Sequence, residues 1–504
     1  MLECGWWQLD ELTPGLRRLS NDNLGSMPDN IRVPLFDRSN LSAGIVHIGL
    51  GNFHRAHQAW YLQQLMQTGA AHDWAIIGAG VKQRDKEQCQ KLAAQDYLTT
   101  LIELETGGGA VEIVGSMIGF VPVIANHAAL IAQMSDPAIR IVSMTITEGG
   151  YYMDIATDEF DATHPDILHD ITNPDHPCTV FGAIAAALDR RRRLGAGPVT
   201  LQSCDNLQSN GEVLQHSLTS LAHLQDPQLA DWITENCSFP NAMVDCIVPA
   251  TGPNELKLVR QLGIADDVPV THESFRQWVI EDKFCAGRPD WQQAGVIFSN
   301  QVCDYELMKI RLLNGGHQFL SSPGEILGIG TISDTISHPL INRMFHKVLV
   351  EDVVPHVRPI SGINLVGYVK QVATRFSNPL LADTVRRVAA DGLHRRKRFV
   401  QPTLREALAE GRSIEGLALA EALWSRMCAG KREDGSIIAP NDPNWERLQP
   451  VANKARSDSS IWLKQRWIYG DLADNPELLN AFSRWLQYIW NHGTEAALDS
   501  YVRM

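Results

Sequence analysis

Several features are scarce or missing in this 504-residue chain, and each absence excludes a class. No apolar run reaches the roughly 18 residues that span a bilayer. The opening MLECGWWQLDELTPGLRR places acids where a secretory leader carries a basic stretch and then an apolar one. Basic excess is missing too: 44 Lys and Arg face 58 Asp and Glu, a formal charge of −14, so the surface does not suit nucleic acid. The nine cysteines include no CxxC and no paired spacing, which argues against a disulfide framework or a structural zinc site and for reduced thiols. Internal repeats and low-complexity tracts are absent. A soluble, cytoplasmic protein without nucleic-acid or membrane partners is expected, and any anionic ligand must be held by local donors. The composition that remains, 44% hydrophobic and 20% charged, is that of a globular chain, long enough for two to four domains at about 150 residues each.

Residues 1–40, rich in Pro, Asn, Asp and Ser, read as an irregular lead-in. GIVHIGLG at 44–51 reads as a buried strand, 54–69 as an amphipathic helix stopped at Gly69, and WAIIGAGV at 74–81 as a second buried strand. A β-α-β order implies parallel strands, since only a crossover returns the chain in the same direction. The pattern recurs as a strand at 139–150, a helix at 180–197 and a strand at 198–206. Arg190 to Arg193 read as cations that complement the end of that helix. From about 300 long helical stretches dominate. The expectation is an α/β protein with a dinucleotide-type domain over 41–295 and a mainly helical one over 296–504.

Gly49-Leu50-Gly51 lies where a strand gives way to a helix, the place of a phosphate-cradling turn. His54 stands where a third glycine is expected, so a purely steric need for glycine stays open. Asp85 is the nearest acid for the ribose hydroxyls, while Arg84 beside it would suit a 2′-phosphate. Lys309, inside the apolar stretch YELMKIRLLNGGH, shares a helical face with Leu313 and His317. Held there it would have a lowered pKa and could act as a general base, or it could snorkel to water. Tyr305 and Lys309 imitate the pair of short-chain dehydrogenases, but some 250 residues separate them from the glycine turn. Asn206 and Glu148 follow strands and could point into the crevice at the carboxyl ends of a parallel sheet, or could simply form turns.

Taken in order, IVHIGLGNFHRAHQAWYL, TEGGYY, SCDN, FPNAMVD, FRQWVIEDKF, KIRLLNGGH, RFSNP and RVAADG resemble the mannitol dehydrogenase family over about 40–400. The family's own turn reads GxGxFHRAH, which accounts for His54. The resemblance implies a Rossmann-type N-terminal domain plus a mainly α-helical C-terminal domain, and metal-independent hydride transfer between a polyol and NAD(P). It implies Lys309 as general base, Asn206 and Asn314 as donors to the alkoxide, His317 as substrate-orienting and Glu306 as proton relay. Gly49, Gly51, Asn52, Phe53, Arg55, Asp85 and Glu148 would hold the cofactor, and Asp245, Arg387 and Arg395 the substrate. Asp85 favours NAD and Arg84 keeps NADP open. D-Mannitol and D-fructose are the expected pair, D-arabinitol and D-xylulose the next. The alternatives are a hexuronate reductase and a catalytically silent nucleotide-binding protein. Monomers are common among relatives, and a monomer is expected.

Overall fold

The computed structural model describes residues 16–82, 85–122, 125–154 and 159–504. The chain divides into two compact units, Met1–Cys303 and Asp304–Met504.

In the first unit, five strands form an all-parallel sheet: β1 (Ala43–Ile48), β2 (Ala75–Ala79), β3 (Met117–Val121), β4 (Ile141–Met144) and β5 (Thr200–Ser203). Their spatial order is 3-2-1-4-5, so the winding reverses between β1 and β4. The short apolar runs suit a sheet covered on both faces, because such strands need no polar side. Alternate residues of β1 feed separate cores. Val46 and Ile48 pack with Phe181, Ile184 and Leu188 of helix α4 (Val180–Leu194), whereas Ile45 packs with Leu62 and Leu65. Each such fully buried aliphatic contributes about 1.5–3 kcal/mol.

Three local expectations change. The helix after β1 is two helices, α1 (Asn52–Ala56) and α2 (Gln58–Met66), broken at His57, whose ψ of −92° leaves the helical region. Residues 16–40 are more than a lead-in. Arg17–Arg18 pair in parallel with Ile264–Ala265, Ile31–Arg32 with Val111–Glu112, and Leu19, Met27 and Ile31 are buried. The cations ending α4 do more than complement its C-terminus. Arg191 is buried and donates to the carbonyls of Met134, Asp136 and Gly197, because the α4 C-terminus abuts those loops; Arg192 pairs with Asp189 and Asp226.

The second unit is helical. Helix α5 (Val302–Met308) runs through a π-helical turn, Lys309–Asn314, into α6 (Gly315–Leu327). Around it lie α7 (Leu365–Phe376), α8 (Val385–Ala389), α9 (Gly392–Phe399) and α10 (Glu415–Cys428). Arg396 of α9 and Glu421 of α10 form a buried ion pair at 3.1 Å, which locks α9 against the core. No helix among the described residues is long and apolar enough to cross a membrane. The cysteines among the described residues are free thiols.

Candidate active site

A cleft of about 770 Å³ opens in the first unit at the carboxyl end of the sheet, where the strand order reverses. Its walls include Gly49, Gly51, Asn52, Phe53 and Arg55 after β1, Thr145 and Thr147 after β4, and Asp205 and Asn206 after β5. The two glycines serve different needs. Gly49 has φ +90°, and a Cβ there would lie 2.1 Å from the Thr145 carbonyl, so its demand is steric and internal. Gly51 has φ −89°, and a Cβ there would approach no protein atom closer than the Gly49 carbonyl at 4.0 Å. The space beside Gly51 opens into the cleft, a geometry compatible with a pyrophosphate-binding turn.

This contrast sets an expected result. Gly49→Ala lowers stability by about 2–4 kcal/mol through strain and overlap, read by chemical denaturation. Gly51→Ala costs about 1 kcal/mol or less at this N-cap, yet weakens NADH binding at least tenfold by fluorescence titration. Equal effects of the two changes would contradict the division of roles.

The polar groups around the turn mostly brace it. Asn52 Nδ2 donates to the Pro249 carbonyl (3.0 Å) and to Thr251 Oγ1 (2.8 Å), tying the turn to the loop at 248–251 that also lines the cleft. Arg55 is buried. Its guanidinium donates to Asn52 Oδ1 at 2.7 Å and to the Val268 carbonyl, and burial pulls its pKa down to about 10. Thr145 Oγ1 donates to the Gly49 carbonyl at 2.6 Å. Asp205, within SCDN, accepts from the backbone N–H groups of Ile146 and Thr147 and from the Tyr151 hydroxyl, so it staples the ends of β4 and β5; burial raises its pKa. Asn206, next in line, is exposed at the cleft wall.

Two residues expected at the cofactor do not line this cleft. Asp85 heads helix α3 (Asp85–Ala94), and its Oδ2 accepts from the N–H groups of Val81 and Lys82 at 2.8 and 2.9 Å, as a turn-forming carboxylate does. Glu148 is exposed at the start of a 3-10 turn, just beyond Thr147. Arg84 lies outside the described residues. Glu87, Gln88 and Lys91 of α3 line the cleft instead, with Glu87 and Lys91 paired at 2.8 Å and Gln88 Nε2 donating to the Leu50 carbonyl. Reading the sequence for a single acid after the second strand passes over them; the helical period of 85–94 was the signal that could have found them. Asp245 ends the strand Ala242–Asp245, buried and paired antiparallel to Gln277, apart from this lining.

The second unit holds the remaining candidates. Glu306 and Lys309 are both buried, at 7% and 8% exposure. The π turn corrects the expected α-helical spacing. In an α-helix Asn314 would stand about 140° round from Lys309. With the i→i+5 pattern and about 4.4 residues per turn, the angle closes to about 50°, and His317 comes within about 10° of Lys309. The extra residue therefore gathers Lys309, Asn314 and His317 on one face. Asn314 Oδ1 is buried without a hydrogen-bond partner, as is His317 Nε2, so both can receive a polar ligand. The His317 ring packs on Phe376 at 4.1 Å between centroids, and burial draws its pKa down to about 3 against the opposing pull of Asp383. It is a neutral imidazole at neutral pH, able to donate from one nitrogen and accept at the other. Arg387 of α8 and Arg395 of α9 act on the same histidine, and Arg395 Nη1 also donates to the Val388 carbonyl.

One more group in the first unit has the composition of a metal site: His169, Asp170 and Cys178 offer ligand atoms within 4.8 Å of one another. The Asp170 carboxylate is engaged by Cys178 N, Thr179 N, Thr179 Oγ1 and His169 Nδ1, which accounts for its burial as a loop staple.

The chain matches two family models, the mannitol dehydrogenase Rossmann domain over residues 43–293 and the mannitol dehydrogenase C-terminal domain over residues 301–490. It is 49% identical over 476 residues to the mannitol 2-dehydrogenase of Cereibacter sphaeroides, covering 94% of this chain and 100% of that one. It is similar to the structure of Pseudomonas fluorescens mannitol 2-dehydrogenase in ternary complex with NAD and D-mannitol, with a TM-score of 0.85, 39% identity, and coverage of 97% of this chain and 100% of that one. A D-sorbitol dehydrogenase in substrate-free form is alike at a TM-score of 0.87 and 36% identity, over 95% and 100% of the two chains.

Proposed function

The chain belongs to the mannitol dehydrogenase family, and we propose that it is an NAD-dependent polyol dehydrogenase that interconverts D-mannitol and D-fructose, with D-arabinitol and D-xylulose the next pair. The observation that carries this reading is the π turn, which sets a buried amine, an amide and a neutral histidine on one helical face.

NAD, when bound, accepts the hydride from the carbinol carbon. The open space at Gly51 fits its pyrophosphate, with Gly49, Asn52, Phe53 and Arg55 shaping the turn and Glu87 and Lys91 at the α3 wall. We assign Asp85 a part in ribose recognition through the turn it organises, and Glu148 a place at the edge of the same site. Lys309 takes the hydroxyl proton at Nζ, so the carbon–hydrogen bond breaks from an alkoxide rather than an alcohol. The amides of Asn206 and Asn314 donate to that oxygen, which is worth about 3–4 kcal/mol per well-placed donor. Glu306, one turn before Lys309, passes the proton onward. Neutral His317 exchanges hydrogen bonds with a neighbouring substrate hydroxyl, and Asp245, Arg387 and Arg395 hold the rest of the polyol. No step calls for a metal. The reduced-thiol composition supports a cytoplasmic setting, and a monomer suffices for the scheme.

Steady-state oxidation of mannitol, D-arabinitol and sorbitol by NAD and by NADP, and reduction of fructuronate by NADH and by NADPH, each followed by nicotinamide absorbance, test the reading. The expected result is the highest kcat/KM for mannitol with NAD. Turnover of fructuronate alone would make the chain a hexuronate reductase. Saturable NADH binding with no turnover of any substrate would make it a silent binding protein.

A further inference from the structure

The scheme above leaves one side chain beside His317 without a part. Asp383 precedes α8, and Arg387 grips its carboxylate at both oxygens, Nε to Oδ1 and Nη2 to Oδ2, each at 2.6 Å. The same Oδ2 stands 3.8 Å from the unpartnered His317 Nε2. The Asp383 side chain is 13% exposed and that of Arg387 61%, so an anchored acid holds a guanidinium that would otherwise swing in water. The pairing raises the Arg387 pKa, which keeps it cationic throughout.

A side-on pair of this kind occupies one of the guanidinium edges that match a planar carboxylate and neutralises its charge. What remains is the end-on edge, one N–H each of Nη1 and Nη2, and one outer N–H of Nη1, donors whose positive charge Asp383 already offsets. An incoming sugar acid would meet a guanidinium already neutralised by Asp383 and would lie against that residue's negative charge. A hydroxyl group faces neither cost. Selectivity is a difference between two affinities, and an element that repels the wrong ligand raises it as surely as one that attracts the right one.

We propose that Asp383 is a specificity-determining residue, which by holding Arg387 in a bidentate pair makes the site select neutral polyols and ketoses over hexuronates. The inference rests on the reading of Arg387 and His317 as substrate-facing. Asp383 is the acid among the charged groups acting on His317, and its removal leaves Arg375, Arg387 and Arg395 acting there without that counter-charge.

The test compares wild type, Asp383→Asn and Asp383→Glu, with folding checked by thermal melting and NADH binding. For each, kcat/KM is measured for reduction of fructose and of fructuronate by NADH. Asp383→Asn is expected to shift the fructose-to-fructuronate ratio at least tenfold toward fructuronate, chiefly through a lower KM for the acid, and Asp383→Glu to restore most of the wild-type ratio. An unchanged ratio in a folded Asp383→Asn, or an equal fall for both substrates, would overturn the proposal. A second measurement needs no variant: in wild type, gluconate is expected to inhibit fructose reduction at least tenfold more weakly than sorbitol, and equal inhibition also overturns it. If wild type reduces fructuronate and not fructose, the polyol reading itself falls, whatever the variants do.

Discussion

Lys309→Ala is expected to lower kcat for polyol oxidation by about 10²–10⁴-fold, the range a positioned general base supplies. Its NADH dissociation constant should stay within about twofold of wild type, because the residues around the Gly51 turn belong to the first unit and Lys309 to the second. The amine lies buried in the middle of a continuous helix, and alanine preserves the helical backbone there. Two further readouts separate chemistry from structure. A small primary amine in the buffer should restore part of the Lys309→Ala rate, and the rescue should rise with the unprotonated amine. The ascending limb of the wild-type pH profile should vanish in the variant, since His317, held near 3, does not titrate in the working range. An unchanged kcat, or loss of NADH binding together with activity, would remove Lys309 from the role.

Acid is expected to unfold the chain at mildly low pH, and the cause lies in buried histidines. Burial lowers the pKa of His47, His272 and His317 to about 3 each, and drives His54 well below its ordinary value. His47 and His54 stack at 3.5 Å behind the glycine turn, His54 with neither ring nitrogen partnered, so a proton on either would be a buried charge beside its neighbour. In the unfolded chain each histidine titrates near 6.5. Below that pH the unfolded state binds protons that the folded state refuses, so stability rises with pH and falls as pH drops from about 6.5 toward 3. Each such histidine costs about 1.4 kcal/mol per pH unit once its unfolded form is fully protonated. Urea midpoints measured at half-unit steps should be flat from pH 8 to 7 and fall steeply below pH 6. His317→Gln should remove part of that slope without lowering stability at pH 8. A flat profile down to pH 5 would mean that these histidines are protonated in the folded protein.

Much of the fold was legible because it is written in short-range terms. The β-branched runs ending in glycine marked β1 and β2, the crossover rule made them parallel, and GxGxFHRAH located the turn that lines the cleft. The helical period of the C-terminal half announced a second unit of another character. Other features escaped for physical reasons. Residues 16–40 carry no apolar period, yet two of their segments pair with strands near 111 and 264, partners far away in sequence. That Asp85 also closes a turn shows only in which N–H groups it accepts. Arg191 read as one cation among four until its carbonyl partners were seen.

The sequence by itself determined the family, the doubly wound sheet and the residue types available for chemistry, since these depend on local pattern and on motifs that survive in linear order. Tertiary structure alone decided how those residues are used. An α-helix and a π turn have the same composition here, but only the π turn brings Asn314 round toward Lys309 and His317. Likewise Gly49 and Gly51 are identical letters. One is required by a carbonyl 2.1 Å away and the other faces the open cleft, a difference that exists only once the strands that surround them are in place.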